Sequence, residues 1–85
     1  MNEAGKAYEY YYQSLEGARE LGWLQQICEI DLHLGRLMLE DKKFADAFKA
    51  FEEAKTMAKY INLSGLHDEA STLLAKVMAK QKPER

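Results

Sequence analysis

The segment Leu34–Ala54 reads LGRLMLEDKKFADAFKAFEEA and decides how the rest of the chain is interpreted. Apolar residues recur at steps of three and four on both sides of a central polar stretch, which is the periodicity of amphipathic helices. Gly35 before the polar stretch and Ala47 after it are small, and Phe51 is large. Since helices approach closely where residues are small, the segment predicts two packed helices joined by a short turn.

The same periodicity extends to both ends of the chain. We expect one domain, 1–85, with helices at about residues 3–21, 23–40, 43–61 and 65–81 and a tail at 82–85. Gly22 and Asn62 follow two of these helices and suit the left-handed conformation that ends a helix. The single proline, Pro83, lies in the tail. The expected fold class is therefore all-α, with antiparallel helices.

The helices differ in how much apolar surface they carry. The third predicted helix has one apolar side, with Phe44, Phe48 and Phe51, and one charged side. The second is apolar nearly all round, which is typical of a helix buried on most sides. We therefore expect the second helix in the middle of the assembly. Cys28 lies within it and is expected to be a small buried apolar residue.

The sequence repeats with a period of 40 residues. Small residues align with small ones, aromatic residues with aromatic ones, and helix ends with helix ends. The aligned pairs are Ala7 with Ala47, Tyr8 with Phe48, Tyr11 with Phe51, Ala18 with Ala58, Gly22 with Asn62, Gly35 with Ala75, and Met38 with Met78. The chain is thus predicted to be built from two related units.

The spacing Leu34-Gly35-x-x-Met38, followed by Ala47-x-x-x-Phe51-x-x-Ala54, resembles the tetratricopeptide repeat (TPR) signature. The period exceeds the usual length of about 34 residues, and it is similar to the long-repeat subtype of G-protein-signalling modulators and bacterial peptide-sensing regulators. Two positions depart from the pattern, with Asp31 in place of a tryptophan and Lys59 in place of a proline. The resemblance implies a right-handed solenoid fragment of four helices and a protein-binding function.

In TPR solenoids the first helix of each hairpin lines the inner face, where peptides bind. The resemblance therefore implies a partner-binding inner face on the second and fourth helices. Its predicted residues are Glu29, Leu32, His33, Arg36, Glu40, Glu69, Thr72, Leu73, Lys76 and Lys80. The alternative is a solvated charged face, or one covered by a partner subunit.

The first and fourth helices each resemble half of a hairpin, so the chain is expected either to be a fragment of a longer TPR protein or to complete its array by pairing with another copy. Both ends of the array are expected to favour association. Solenoid repeats generally need about three units for stability. Tyr8, Tyr10 and Tyr12 on the first helix are the expected self-association residues, and a homodimer is the expected assembly. Trp23 is expected to pack across the turn that follows Gly22.

Charge and hydropathy exclude several function classes. The formal net charge is -2, which gives no basic footprint for nucleic acid. We expect no membrane span, because no apolar run approaches about 18 residues, and no signal peptide, so a cytoplasmic location is expected. No cofactor and no metal site are expected, since Glu29 and His33 are too few to hold a metal ion.

No pattern of nucleophile and base is apparent, so the protein is not expected to be an enzyme. The expected function is a non-catalytic scaffold that binds a peptide or partner helix, or that self-associates. The alternative is a small helical-bundle enzyme or phosphotransfer domain that uses His33 or His67.

Overall fold

Four α-helices and three short turns make up residues 3–81, which are the residues described by this computed structural model. The helices are α1 (Glu3–Leu21), α2 (Leu24–Glu40), α3 (Phe44–Tyr60) and α4 (Ser64–Gln81), and residues 3–81 contain no strand. The prediction of an all-α chain with four helices is confirmed. Each helix begins and ends within one residue of the sequence-based bounds, and the predicted tail at 82–85 lies outside the described residues.

The helices lie in a row instead of forming a closed bundle. Each packs against the next along the chain, and α2 also contacts α4. Among the described residues, no Cα atom of α1 comes within 8 Å of one in α3 or α4. The assembly is accordingly thin, with extents of 45 × 37 × 15 Å. Its first unit, α1 and α2, packs less closely than its second unit, α3 and α4.

All three turns share one backbone conformation. In the first, the N–H of Trp23 donates to the carbonyl of Ala18 and the N–H of Gly22 donates to that of Arg19, at 2.9 and 3.2 Å. This pair of bonds defines the Schellman motif, whose penultimate residue is left-handed. The equivalent donors are Lys42 and Lys43 in the second turn, and Asn62 and Leu63 in the third. The turns therefore recur every 20 residues, and the two units superpose in sequence at a shift of 40.

The left-handed residues of the three turns are Gly22, Lys42 and Asn62, with φ of 71°, 62° and 62°. Glycine adopts this conformation freely and asparagine tolerates it, so those two turns were readable from sequence. Lysine has no such preference, because its Cβ crowds the following carbonyl. The second turn is thus imposed by the packing of α2 on α3.

The core is centred on α2, as the sequence predicts. Seven α2 residues are buried, namely Ile27, Cys28, Asp31, Leu32, Leu34, Gly35 and Met38. α3 contributes fully buried Phe51 and four buried alanines, whose small side chains let α2 and α4 approach it from either side. At Gly35 the ring of Phe51 occupies the space where a Cβ would stand.

Candidate functional site

A groove of about 590 Å³ runs between α1 and α2 on one side of the row. The groove is lined by Tyr10, Leu21 and Trp23, which are 66%, 61% and 53% exposed. The described residues include six exposed large apolar side chains, and half of them are in this groove. Scattered exposed apolar residues are ordinary on protein surfaces, whereas a concentration in a concave site indicates a binding surface. The expectation that Trp23 packs across its turn stays a prediction.

Both walls of the groove follow from helical periodicity. α1 contributes a stripe at steps of three and four, and α2 contributes a stripe of mixed polarity. The lining residues are Tyr10, Tyr11, Ser14, Gly17, Ala18 and Leu21 from α1, Trp23 from the turn, and Gln26, Glu29, Ile30 and His33 from α2. A Cβ built on Gly17 would meet no atom within 4 Å. The groove is therefore open above Gly17.

Aromatic contacts fix one end of the groove. The ring of Tyr11 stacks on the imidazole of His33, with centroids 6.0 Å apart and planes 5° from parallel. Tyr10 meets Tyr11 edge to face at 5.5 Å. On the α2 wall, a Glu29 carboxylate oxygen accepts a hydrogen bond from Gln25 Nε2 at 3.2 Å. These contacts hold a rigid aromatic surface beside a carboxylate.

In the second unit, α3 and α4, the surface equivalent to this groove is covered by α2. Three of the contacts that α2 makes with α3 and α4 are informative: Gly35 lies under the Phe51 ring, the Cys28 thiol donates to the Ala54 carbonyl at 3.3 Å, and Arg36 pairs with Glu69. Forty residues earlier, the counterparts of Phe51, Ala54 and Glu69 are Tyr11, Ser14 and Glu29. All three line the groove.

Among residues 3–81, no helix covers this surface on α1. Phe51 and Ala54 are fully buried under α2, whereas Tyr11 and Ser14 are only half-buried. Ala50 is 8% exposed, and its counterpart Tyr10 is 66% exposed. The first unit therefore has an unoccupied helix position that α2 fills in the second.

The opposite edge of the row is different in chemistry. On α4 the positions that correspond to the α3-facing stripe of α2 are exposed and small or polar, namely Ser64, Asp68, Thr72, Ala75 and Ala79. The hydroxyl of Thr72 donates to the carbonyl of Asp68, 3.0 Å away on the same helix. The sequence-based expectation of an association-prone edge at each end is met by an apolar concavity only beside α1.

The predicted inner-face residues divide into exposed and buried sets. His33, Arg36, Glu40, Thr72, Lys76 and Lys80 are exposed, and Glu29 and Glu69 are half-buried. The Arg36–Glu69 pair brings α2 and α4 together on this face. Leu32 and Leu73 are only 3% and 7% exposed, and their assignment to a partner-binding surface stays a prediction. Both belong to the core, because α2 and α4 are packed on more sides than a single apolar stripe would require.

The three tyrosines predicted for self-association lie on two different sides of α1. Tyr10 belongs to the groove, whereas Tyr12 lines the shallow cleft between α1 and α3. Tyr8 stacks on Tyr12, donates to Asp41 at 2.9 Å, and lies beneath the ammonium of Lys43. Burial and the hydrogen bond to Asp41 raise the pKa of Tyr8 to about 12. These tyrosines do not form one continuous surface.

A buried acid on the far side of α2 was not identified as a site from sequence. Asp31 is 2% exposed, and its Oδ2 atom has no hydrogen-bond partner. The pKa of Asp31 is raised to about 8, mainly by burial and secondly by the neighbouring Glu53 carboxylate. Arg19 makes two bonds to Glu53 at 2.7 and 2.8 Å and lowers the pKa of that carboxyl. One proton is thus held on Asp31 at neutral pH while Glu53 stays ionised.

The remaining candidate residues are placed as follows. Cys28 is fully buried, as predicted, and burial raises the pKa of its thiol to about 11. His33 belongs to the groove, and His67 Nδ1 lies 3.8 Å from the Asp68 carboxylate. Within residues 3–81, no group of three or more His, Cys, Asp or Glu side chains is arranged to hold a metal ion.

No helix in the described part of the chain has the length and apolar character needed to cross a membrane. Comparison of the chain with protein-family models, with curated proteins and with solved structures yields no match.

Proposed function

We propose that this protein is a non-catalytic, TPR-like interaction module that binds an amphipathic helix of a partner protein in the α1–α2 groove. One observation carries the proposal: three residues of the second unit that contact α2 are Phe51, Ala54 and Glu69, and their counterparts 40 residues earlier all line the groove. The groove is thus the position where a further helix of the same kind would pack.

The chemistry of the groove fits this mode of binding. Amphipathic helices dock by laying apolar residues into a groove while their polar side stays in water. Tyr10 and Trp23 supply the kind of amphipathic aromatic surface that dominates binding energy at interfaces.

Catalysis is the less supported alternative. His33 is stacked on Tyr11 inside the groove, where its ring supports the aromatic wall, and His67 lies beside a single carboxylate. A general base acts on a nucleophile within hydrogen-bond reach. Neither histidine has such a partner among the hydrogen bonds of residues 3–81.

A synthetic peptide of residues 24–40, the sequence of α2 itself, is the direct probe of the groove. Trp23 is the only tryptophan of the chain, and the peptide contains none. Trp23 emission therefore reports on groove occupancy without labelling. We expect a blue shift on titration, with a Kd between about 10 µM and 1 mM because a short peptide must order as it binds.

Gly17→Arg is the blocking variant. It fills the open space above Gly17 and should abolish the Trp23 response without destabilising α1, because arginine is a better helix former than glycine. Gly65→Arg is the matched control, since Gly65 is equally unobstructed and lies on α4. The proposal is wrong if wild-type chain gives no response at millimolar peptide, or if Gly17→Arg responds like Gly65→Arg.

Self-association through the same groove is the alternative to binding a separate partner helix, since both would cover the surface of Tyr10, Leu21 and Trp23. Burying Tyr10, Leu21 and Trp23 of two copies against one another would remove a large apolar area from water. Analytical ultracentrifugation at about 10–500 µM tests it, with Gly17→Arg as the variant expected to remain monomeric.

A further inference from the structure

We infer that the groove selects a partner helix in which a small residue is followed directly by a basic one, the small residue facing Tyr11 and the basic residue pairing with Glu29. This inference rests on the proposed function. It specifies which kind of side chain the partner helix carries at two positions.

The basic residue follows from the ion pair between units. Arg36 of α2 pairs with Glu69 of α4, and Glu29 is the residue 40 positions before Glu69. Glu29 accepts a bond from Gln25, and among the ion pairs of the described residues none includes Glu29. The groove therefore presents a carboxylate at the place where the second unit has a cationic partner. A lysine or arginine of the incoming helix satisfies it.

The small residue follows from the contact between Gly35 and Phe51. The ring of Phe51 fills the space of a Cβ at Gly35, so this register of the helix pair excludes large side chains. Tyr11 takes the place of Phe51 in the first unit, and stacking on His33 holds its ring in position. A helix docked in the same register must have glycine, or at most alanine, opposite that ring.

Charges around the groove favour a basic partner as well. Glu29 is the carboxylate of the groove lining, and no lysine or arginine among the described residues lines the groove. This negative charge complements a cationic helix. This complementarity favours a basic amphipathic helix as the occupant of the groove.

A second copy of this chain does not offer such a helix. Its α2 carries the Gly35-Arg36 pair, but that helix is buried between α1 and α3 of its own fold. Its α4 carries Ala75-Lys76 at the corresponding positions, yet the rest of that stripe is polar, with Asp68 and Thr72 where α2 has Cys28 and Leu32. This comparison favours a separate partner helix over a second copy of the chain.

The test is a charge-reversal cycle on the peptide of residues 24–40, read by Trp23 emission. An Arg36→Glu peptide should bind wild-type chain about fivefold more weakly. Glu29→Lys in the full chain should weaken the wild-type peptide similarly and restore the Arg36→Glu peptide. A Gly35→Leu peptide should not bind, and a Gln25→Lys peptide serves as a control for charge added away from Glu29.

Each outcome bears on a different claim. Equal binding of wild-type and Arg36→Glu peptides, with no rescue by Glu29→Lys, overturns the charge selectivity and leaves groove binding intact. Tight binding of the Gly35→Leu peptide overturns the size selectivity. Absence of binding by every peptide overturns the proposed function itself. A concentration-dependent Trp23 shift without peptide, with the mass of a dimer, identifies a second copy as the occupant and overturns the assignment to a separate partner.

Discussion

Gly35 of α2 lies directly beneath the ring of Phe51 of α3. A Cβ on Gly35 would stand 2.7 Å from Cδ1 and 2.8 Å from Cζ of that ring, inside van der Waals contact. Phe51 is fully buried, so its ring has little room to move away. This contact sets the distance between the two central helices, and it sets the register in which α2 meets α3 and α4.

The contrast between two glycines tests this contact. Gly35→Ala should destabilise the fold by about 1–3 kcal/mol, because the added methyl overlaps the Phe51 ring. Gly17→Ala should instead stabilise it by about 0.5–1 kcal/mol, since alanine favours helix and the methyl meets open space. Urea unfolding followed by circular dichroism measures both.

A second substitution separates overlap from other effects of alanine. Phe51→Leu should cost less in the Gly35→Ala background than in the wild type, because the smaller side chain relieves the overlap. Strictly additive free energies would contradict the contact, as would equal effects of alanine at Gly35 and Gly17.

The second turn contains a residue with a strained backbone conformation, and a substitution can relieve that strain. Lys42 has φ of 62°, which glycine adopts without steric cost. Lys42→Gly should raise the free energy of unfolding by about 0.5–1 kcal/mol, and Gly22→Ala should lower it by a similar amount. Thermal and urea melts of the two variants check the signs. A destabilised Lys42→Gly would show that the lysine side chain contributes more than its backbone strain costs.

Stability should fall as pH rises through neutrality, because the pKa of Asp31 is raised by burial to about 8. An unfolded aspartic acid titrates near about pH 3.9, so the folded state holds an extra proton between these values. The contribution of this proton is fully present below about pH 4 and is lost as pH rises through about 8, with a slope of at most about 1.4 kcal/mol per pH unit. Glu53, whose pKa is lowered, contributes stability that is lost only in acid.

Asp31→Asn isolates that titration. The amide keeps the shape of the protonated acid and removes the ionisation, so its stability should be nearly flat from about pH 6 to about pH 8 where the wild type declines. Tyr8 and Cys28 do not interfere in this range, because both of their pKa values are raised and their ordinary values, 10.0 and 9.0, already lie above it. Parallel curves for the two proteins over this range would contradict the buried, protonated acid.

The thiol of Cys28 should be unreactive in the folded chain. It is fully buried and donates to the Ala54 carbonyl, and burial raises its pKa to about 11. Since the thiolate is the reactive form, modification by a thiol reagent should follow the rate of unfolding. A fast reaction under native conditions, unchanged by stabilising variants, would mean that α2 opens locally.

The fold was largely predictable because its signals are local. Periodicity gave the helices, and glycine and asparagine marked two turns by their tolerance of positive φ. Lys42 carries no such preference, so the left-handed conformation of the second turn could not be predicted from its residue type. The close approach at Gly35 was predicted from the alternation of small and large residues.

The candidate site was only partly predictable, since it depends on which helix faces are covered. Glu29 and His33 were placed correctly on α2, but the groove they share with Trp23 requires knowing that α1 has a neighbour on one side only. The burial of Leu32 was not anticipated, because α2 is enclosed on more than one side. The link from Asp31 to Glu53 and Arg19 joins three helices, and its only sequence signal is an acid inside an apolar helix.

The most direct test of the central claim is an intermolecular NOE experiment between isotope-labelled full-length chain and unlabelled peptide of residues 24–40. If the groove receives a helix as the second unit receives α2, the Hα protons of peptide Gly35 should contact the ring of Tyr11. Contacts to the ring of Phe51 would mean that the peptide has displaced the chain's own α2. Such contacts, or none at all, would contradict the account.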